Sequence, residues 1–381
     1  MFYRLLFYFQ EFLQQTGVWP YANVFRYQTF RLTLAIVTSF FILMVFAPSV
    51  IRVLRKLKVR GGANFDNATV DAIYGARAAT PTMGGILILP AVILSTLLWA
   101  DIGNFHVILG LVTVTWLGIL GGVDDYMKMV NRSRDGLRTW EKLVFQIALA
   151  VVLAYFLYRM GPDIVLPEDG NGIALNLPFY KFPIHLSLWA FMFISILVVA
   201  GTSNAVNLTD GMDGLAIGSM VPPTIVFLII SYIAGRVDYS AYLFLPHVPG
   251  VGELTVFCGA LLGACLGFLW YNCSPAQVFM GDTGSLTLGG AIGYVAIATR
   301  QEVLLLVAGG LFVLEAVSVM MQVGYFKFTR RTKGQGEKIF RMSPLHYHFQ
   351  LGGWTETQTV VRFWLLGAMF AALALATLKL R

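Results

Sequence analysis

The chain has 381 residues, of which 57% are hydrophobic and only 12% charged, with a formal net charge of +7. Soluble domains carry roughly 25% charged residues, so this composition excludes an ordinary soluble enzyme and predicts an all-α polytopic membrane protein. The basic excess suits cytoplasmic loops beside anionic headgroups and does not by itself point to nucleic acid.

Residues 1–28 are rich in aromatics (Phe2, Tyr3, Phe7, Tyr8, Phe9, Phe12, Trp19, Tyr21) broken by Gln10, Glu11, Gln14 and Gln15. They read as an interfacial amphipathic segment, and residues 29–381 as a single transmembrane catalytic domain. A span needs ~20 largely apolar residues. Ten candidates follow: 30–51, 84–101, 106–123, 143–160, 186–203, 215–234, 254–271, 285–300, 303–325 and 360–379. Cys258, Cys265 and Cys273 fall in or at the end of one apolar stretch without metal-ligand spacing and read as packing residues.

Lysine and arginine set the orientation. Loops after the first, third and ninth spans are basic, holding for example Arg55 and Lys56, Lys128 and Arg138, and Arg330 and Arg331. The opposite loops hold few such residues, and Gly170-Asn171-Gly172 among them looks like an ordinary turn. Odd-to-even loops are therefore expected in the cytoplasm and both termini outside it.

Five polar, glycine-hinged stretches fall on that same face: Thr80-Pro81-Thr82-Met83-Gly84-Gly85, Asp124-Asp125-Tyr126-Met127-Lys128, Asn204 to Ala216, Asn272 with Phe279 to Ser285, and Ser343 to Phe349. Adjacent carboxylates such as Asp124 and Asp125 raise each other's pKa unless a cation lies near. They suit either a solvated helix end paired with Lys128 or a site for Mg²⁺ or a base. Asp210 and Asp213 are three apart, close enough to serve one site on a helical turn. Thr209 or Asp210 alternatively caps the helix that follows. Asp282 sits between Gly281 and Gly284, where free backbone N–H groups could face an anion and the carboxylate a Mg²⁺ ion; helix capping is the other reading. His346 and His348 lack helical metal spacing and suit phosphate or hydroxyl contacts, and Phe279 could stack on a base. Many acids, a lysine and glycine turns on one face fit Mg²⁺-assisted phosphoryl transfer, which needs positioning and charge neutralisation. A Gly-x-x-x-x-Gly-Lys-[Ser/Thr] loop is absent from the sequence.

These motifs resemble those of the bacterial phospho-N-acetylmuramoyl-pentapeptide transferases (translocase I), within the polyprenyl-phosphate N-acetylhexosamine-1-phosphate transferases. The resemblance runs from about Phe30 to the end and rests on Thr-Pro-Thr-Met-Gly-Gly, Asp-Asp-Tyr-x-Lys, Asn-Ala-Val-Asn-Leu-Thr-Asp-Gly-x-Asp-Gly-Leu-Ala, Pro-Ala-Gln-Val-Phe-Met-Gly-Asp-x-Gly-Ser and Phe-Arg-Met-x-Pro-x-His. It implies ten transmembrane helices, a homodimer, and an active site facing the cytoplasm from the bacterial inner membrane. The implied reaction transfers phospho-MurNAc-pentapeptide from UDP-MurNAc-pentapeptide to undecaprenyl phosphate, giving lipid I and UMP with Mg²⁺. Carried over by position, Asp124, Asp125 and Asp282 are expected to be catalytic, with Asp282 and Asp210 as metal ligands. Arg77, Thr82, Lys128, Asn207, Asp210, Gly211, Asp213, Asn272, Phe279, Gln322, His346 and His348 are expected to contact substrate. Two departures stand out: the family's His-His-His is His346-Tyr347-His348 here, and Arg77 stands where a lysine is common. The stretch Thr329 to Gly336 reads as a surface insertion. Residues alone leave two rivals open, a sister enzyme acting on UDP-GlcNAc and a secondary transporter, whose polar groups would sit near the bilayer midplane.

Overall fold

A computed structural model describes residues 2–17, 19–57, 80–131, 136–166, 170–180 and 182–379. Arg77 lies outside the described residues. Short helices at Phe2–Tyr8, Gln10–Gln15 and Trp19–Ala22 precede the bundle. The long elements are α1 (Gln28–Lys56), α2 (Gly85–Trp99), α3 (Phe105–Asn131), α4 (Thr139–Arg159), α5 (Leu188–Thr209), α6 (Leu215–Ala234), α7 (Leu254–Asn272) and α8 (Gly281–Ala298). They continue with α9 (Glu302–Ala308), α10 (Gly310–Lys333), a short α11 (Leu345–Gln350) and α12 (Glu356–Ala376). Helices are the expected solution for a chain crossing lipid, because each satisfies its own backbone polar groups.

Among the described residues, eight helices are long and apolar enough to cross a membrane, and α2 is a shorter apolar helix. The chain is thus an all-α, multi-pass membrane protein, although ten uniform spans are not what the structure presents. The expected eighth span is α8, whose residues from Asp282 to Ala298 are all buried. A helix enclosed by its neighbours needs small residues more than lipophilic ones, and α8 carries Gly284, Gly289, Gly290 and Gly293. The expected ninth span is broken at Gly309 into α9 and α10.

Helix α1 shows how the bundle closes. Its buried residues, Arg31, Ala35, Ser39, Leu43, Ala47, Ile51 and Leu54, recur every three or four positions and form one face. That face meets α7, where Gly259, Gly263 and Gly267 repeat every fourth residue. A methyl group on any of them would collide with α1, for instance with the Ile36 carbonyl at Gly263. Around α8, the backbones of α2 and α3 approach as closely. A Cβ on Gly85 would meet the Gly284 backbone, and one on Gly121 the Asp282 carbonyl.

On the opposite side, the α4–α5 connection forms two short antiparallel pairings, Val165 with Asn171 and Ala174 with His185. Gly170-Asn171-Gly172 is therefore part of a small hairpin. Cys258 and Cys265 are buried, as packing residues should be, whereas Cys273 at the end of α7 is exposed.

Candidate active site

Several polar motifs read as loops prove to be helix ends. Helix α3 runs on past residue 123 to Asn131, so Asp124, Asp125 and Lys128 share its last turns. Helix α5 runs on to Thr209, carrying Asn204 and Asn207. Helix α8 starts at Gly281, four residues before the expected boundary, and puts Asp282 in its first turn. The helices can continue beyond their apolar runs because their polar side chains find partners. Asn204 Nδ2 donates to Gln146 Oε1 on α4 at 2.8 Å. Asn207 Nδ2 donates to Asp282 Oδ1 and Ser285 Oγ on α8, each at 2.9 Å. Neither Thr209 nor Asp210 caps α6. The Thr209 hydroxyl turns back to the Ala205 carbonyl, Asp210 closes α5, and Gly214 at φ +77° precedes α6.

Asp124 is fully buried, and its Oδ2 pairs with Lys128 Nζ at 2.6 Å and Lys142 Nζ at 2.9 Å. The same two lysines reach Asp282, Lys128 to Oδ1 at 3.2 Å and Lys142 to Oδ2 at 2.6 Å. Two acids from α3 and α8 thus share two cations from α3 and α4. Asp124 Oδ1 also accepts from the Leu137 N–H at 2.7 Å, tying down the chain that leads into α4.

Asp125 has a different setting. Its Oδ1 accepts from the Asp282 N–H at 3.1 Å, and its Oδ2 from the Thr283 N–H at 2.9 Å and the Thr283 hydroxyl at 2.6 Å. It satisfies the open amides at the N-terminus of α8. Gly281, at φ +72°, allows the chain to enter α8 with those amides facing Asp125.

Asp124, Asp125 and Asp282 form a group whose ligand atoms lie within 4.8 Å of one another. Carboxylate oxygens are the donors a hard divalent cation requires, so this buried cluster could hold a metal ion. Asp210, expected as a ligand, is not in the group, and Asp125 is. Asp210 sits beside it, near enough to feel the charges of Asp282 and Asp125. Burial, and then the negative charges of Asp282 and Asp125, push the Asp210 carboxyl up to about 7.

The remaining expected residues divide into those that frame this centre and those that face elsewhere. Thr82 is half-buried in a segment that pairs with the start of α8. The Phe279 N–H donates to the Pro81 carbonyl, and the Gly84 and Gly85 N–H groups donate to the Phe279 and Met280 carbonyls, at 2.8 to 2.9 Å. Phe279 is half-buried on that strand-like edge. Asp213 Oδ2 accepts from the Ala276 N–H at 2.9 Å. Asn272 is buried and joins the Gly214 N–H at 3.1 Å to the Val278 carbonyl at 2.8 Å, fastening the two site loops together. The Gly211 carbonyl accepts from the Tyr347 hydroxyl at 3.0 Å, so the residue standing where the family has its middle histidine holds the acidic loop.

Gln322 Oε1 accepts from the Ile339 and Phe340 N–H groups at 3.1 and 2.9 Å. Those bonds pin the chain returning from α10. That helix extends to Lys333, so Lys327, Arg330, Arg331 and Lys333 ride on its final turns, and the stretch read as a surface insertion is mostly helix. His346 is fully buried, with Nδ1 3.2 Å from Glu315 Oε1. His348 Nδ1 accepts from the Arg341 N–H at 3.1 Å and serves its own loop.

Lys142 is the residue that sequence reasoning missed. It falls among the basic residues that follow the third expected span, yet it touches both central acids. Its position in the first turn of α4, one residue after Glu141, was the available signal, because a lysine is unfavourable near a helix N-terminus without acids to meet it.

Comparison with known proteins identifies the family. Residues 107–300 match the family model described as Glycosyl transferase family 4. The chain is 44% identical over 382 residues to the phospho-N-acetylmuramoyl-pentapeptide-transferase of Thermodesulfovibrio yellowstonii, covering 100% of both chains. It is 46% identical over 362 residues to the protein of that name from Oleidesulfovibrio alaskensis, covering 95% of this chain and 96% of the other. With the one from Methylacidiphilum infernorum it shares 45% over 381 residues, 99% of this chain and 100% of the relative. On identity of that level across its whole length, the chain belongs to the phospho-N-acetylmuramoyl-pentapeptide-transferase family.

Proposed function

We propose that this protein transfers phospho-MurNAc-pentapeptide from UDP-MurNAc-pentapeptide to undecaprenyl phosphate, forming lipid I and releasing UMP. The observation that carries the reading is the sharing of Lys128 and Lys142 by Asp124 and Asp282, acids 158 positions apart in sequence. Lysines held by carboxylates in this way are placed to turn to phosphate oxygens when a diphosphate arrives. Residues 29–381 act as one catalytic domain behind the interfacial segment 1–28.

In the reaction, an oxygen of the lipid phosphate attacks the sugar-bearing phosphorus, the bond from that phosphorus to UMP breaks, and UMP departs. Asp124, buried beside the lysines, positions the lipid phosphate or takes a proton from it. Asp125 keeps the N-terminus of α8 in place, and Asn207 orients Asp282 through its amide. Lys128 and Lys142 meet the phosphate oxygens, while Asp210, Asp213 and Gly211 line the substrate side with Thr82 and Phe279. Asp282, Asp124 and Asp125 would hold Mg²⁺, which when bound neutralises the diphosphate charge and so favours phosphoryl transfer. Arg77, Asn272, Gln322, His346 and His348 belong to the proposed substrate-binding set on the family resemblance alone, and of these Asn272, Gln322 and His348 hold the surrounding loops.

The lipid substrate has its own route. A groove of about 370 Å³ between α5 and α10 is lined by Leu197, Val198, Ala205, Val206, Val313 and Met320 among others. Leu197 and Met320 are exposed along it, and Val206 adjoins Asn207 in sequence. An apolar groove of this kind suits a polyprenyl tail. The basic inner loops support an inner-membrane protein whose active site faces the cytoplasm. A homodimer is part of this reading on the family resemblance alone.

Purified protein, undecaprenyl phosphate and radiolabelled UDP-MurNAc-pentapeptide, with and without Mg²⁺, test the proposal. Labelled lipid and UMP should appear only with the metal, and UDP-GlcNAc run in parallel should give no product. Product from UDP-GlcNAc alone would move the chain to the sister activity, and solute uptake into proteoliposomes without UMP would make it a transporter.

A further inference from the structure

Glu315 lies on α10, far from the acidic cluster in sequence, and is fully buried. One carboxylate oxygen accepts from the Leu345 N–H at 2.7 Å, and the other lies 3.2 Å from His346 Nδ1. Both contacts are to the start of α11, so one acid on a membrane helix fixes where that short helix begins. Helix α11 in turn lies on the acidic loop. The Tyr347 hydroxyl donates to the Gly211 carbonyl, and a Cβ on Gly211 would fall against His346 Nε2. Neither ring nitrogen of His346 makes a hydrogen bond among the described residues, nor does the Glu315 Oε1 that faces Nδ1, so the two buried polar groups meet by proximity alone.

The geometry points to Glu315 as a positioning residue that orients His346 and, with Tyr347, sets the shape of the Asp210–Asp213 loop. A carboxylate oxygen facing Nδ1 favours the tautomer with its proton on that nitrogen, which leaves Nε2 as the accepting nitrogen beside Gly211. The loop that supplies Asp210 and Asp213 is held on one side by Asn272 and on the other by this arm. No feature of the sequence joins Glu315 to that loop, since it sits inside an apolar span. The inference rests on the proposed transferase reading for its activity arm and is independent of it for its spectroscopic arm.

Glu315→Gln separates the two contacts. The amide oxygen can still accept from Leu345, but the NH₂ group placed toward the ring reverses its tautomer. In histidine-labelled protein, ¹⁵N spectra should show His346 protonated on Nδ1, the signal being assigned by its absence in His346→Gln. In Glu315→Gln the proton should move to Nε2. At an unchanged melting temperature, kcat/KM for the nucleotide-sugar substrate should fall about 10-fold, as expected for an outer-shell orienting group. Glu315→Asp should recover part of the loss. In a His346→Gln background, Glu315→Gln should cost nothing further. An Nε2–H ring in the wild type, additive losses in the double variant, or full activity in a Glu315→Gln protein with the reversed tautomer would each overturn the assignment. A wild-type protein that makes no UMP would instead count against the transferase reading and leave the spectroscopic result standing.

Discussion

Two buried charge clusters sit at opposite ends of the bundle and are built differently. At the end where α1 begins, Arg31 binds Glu253 through two parallel contacts of 2.6 and 2.7 Å. The same pair is closed off by the Trp99 carbonyl, which accepts from Arg31, and by the Asp101 N–H, which donates to Glu253. A planar fork on a carboxylate leaves little reason to exchange partners. At the other end, Asp124 and Asp282 are held by two lysines, point charges on flexible stems, with the Lys128 side chain still 32% exposed. The first arrangement is a fastener. The second presents charges that a cation and a diphosphate can displace, and that difference separates a site from a strut.

Substitutions should split along the same line. The largest effect belongs to Asp282→Asn, which should lower UMP release by about 10³-fold, the scale of losing a central electrostatic group, while its melting temperature stays near the wild-type value. Arg31→Met should do the reverse. Breaking a buried pair strands Glu253 and costs about 3 kcal/mol of stability, read by thermal unfolding in detergent, with kcat/KM per folded molecule unchanged. Lys142→Met should raise KM and reduce kcat/KM by about 10²-fold, and Lys142→Arg should recover part of it, because charge returns with a different shape. Normal turnover in Lys142→Met would make that lysine a second strut.

The smallest effect is a pH dependence. Asp210 titrates near 7 in the folded protein against an ordinary value of 3.8. Its ionisation therefore opposes folding: the cost is absent below about pH 4, grows between pH 4 and 7, and is complete above that range. Without divalent metal, Asp210→Asn should melt higher than the wild type at pH 8 and equally at pH 4. An equal difference at both pH values would show that the Asp210 carboxyl is not held in its acid form.

Much of the helical fold was legible in the sequence because lipid imposes a simple rule, long apolar helices that satisfy their own backbone polar groups. What escaped was where helices end. Asp124, Asn207 and Asp282 stop a hydropathy reading, yet the backbone stays helical because each side chain has a partner on another helix, Lys142 for Asp124. The acids themselves were visible as costly residues gathered on one face. Their division of labour was not. Asp125 looks identical to Asp124 in the chain, and only the arrival of the α8 N-terminus makes it a helix cap. Lys142 and Glu315 were hidden for opposite reasons, one among ordinary loop cations and the other inside an apolar span.

Asp124, Asp125 and Asp282 should form one divalent-cation site where α3 ends and α8 begins. Titrating Mn²⁺, as a spectroscopic stand-in for Mg²⁺, into purified protein and following free ion by electron paramagnetic resonance tests it most directly. The account predicts saturable binding that Mg²⁺ competes away and that both Asp282→Asn and Asp124→Asn abolish. Unchanged Mn²⁺ affinity in those two variants would contradict it.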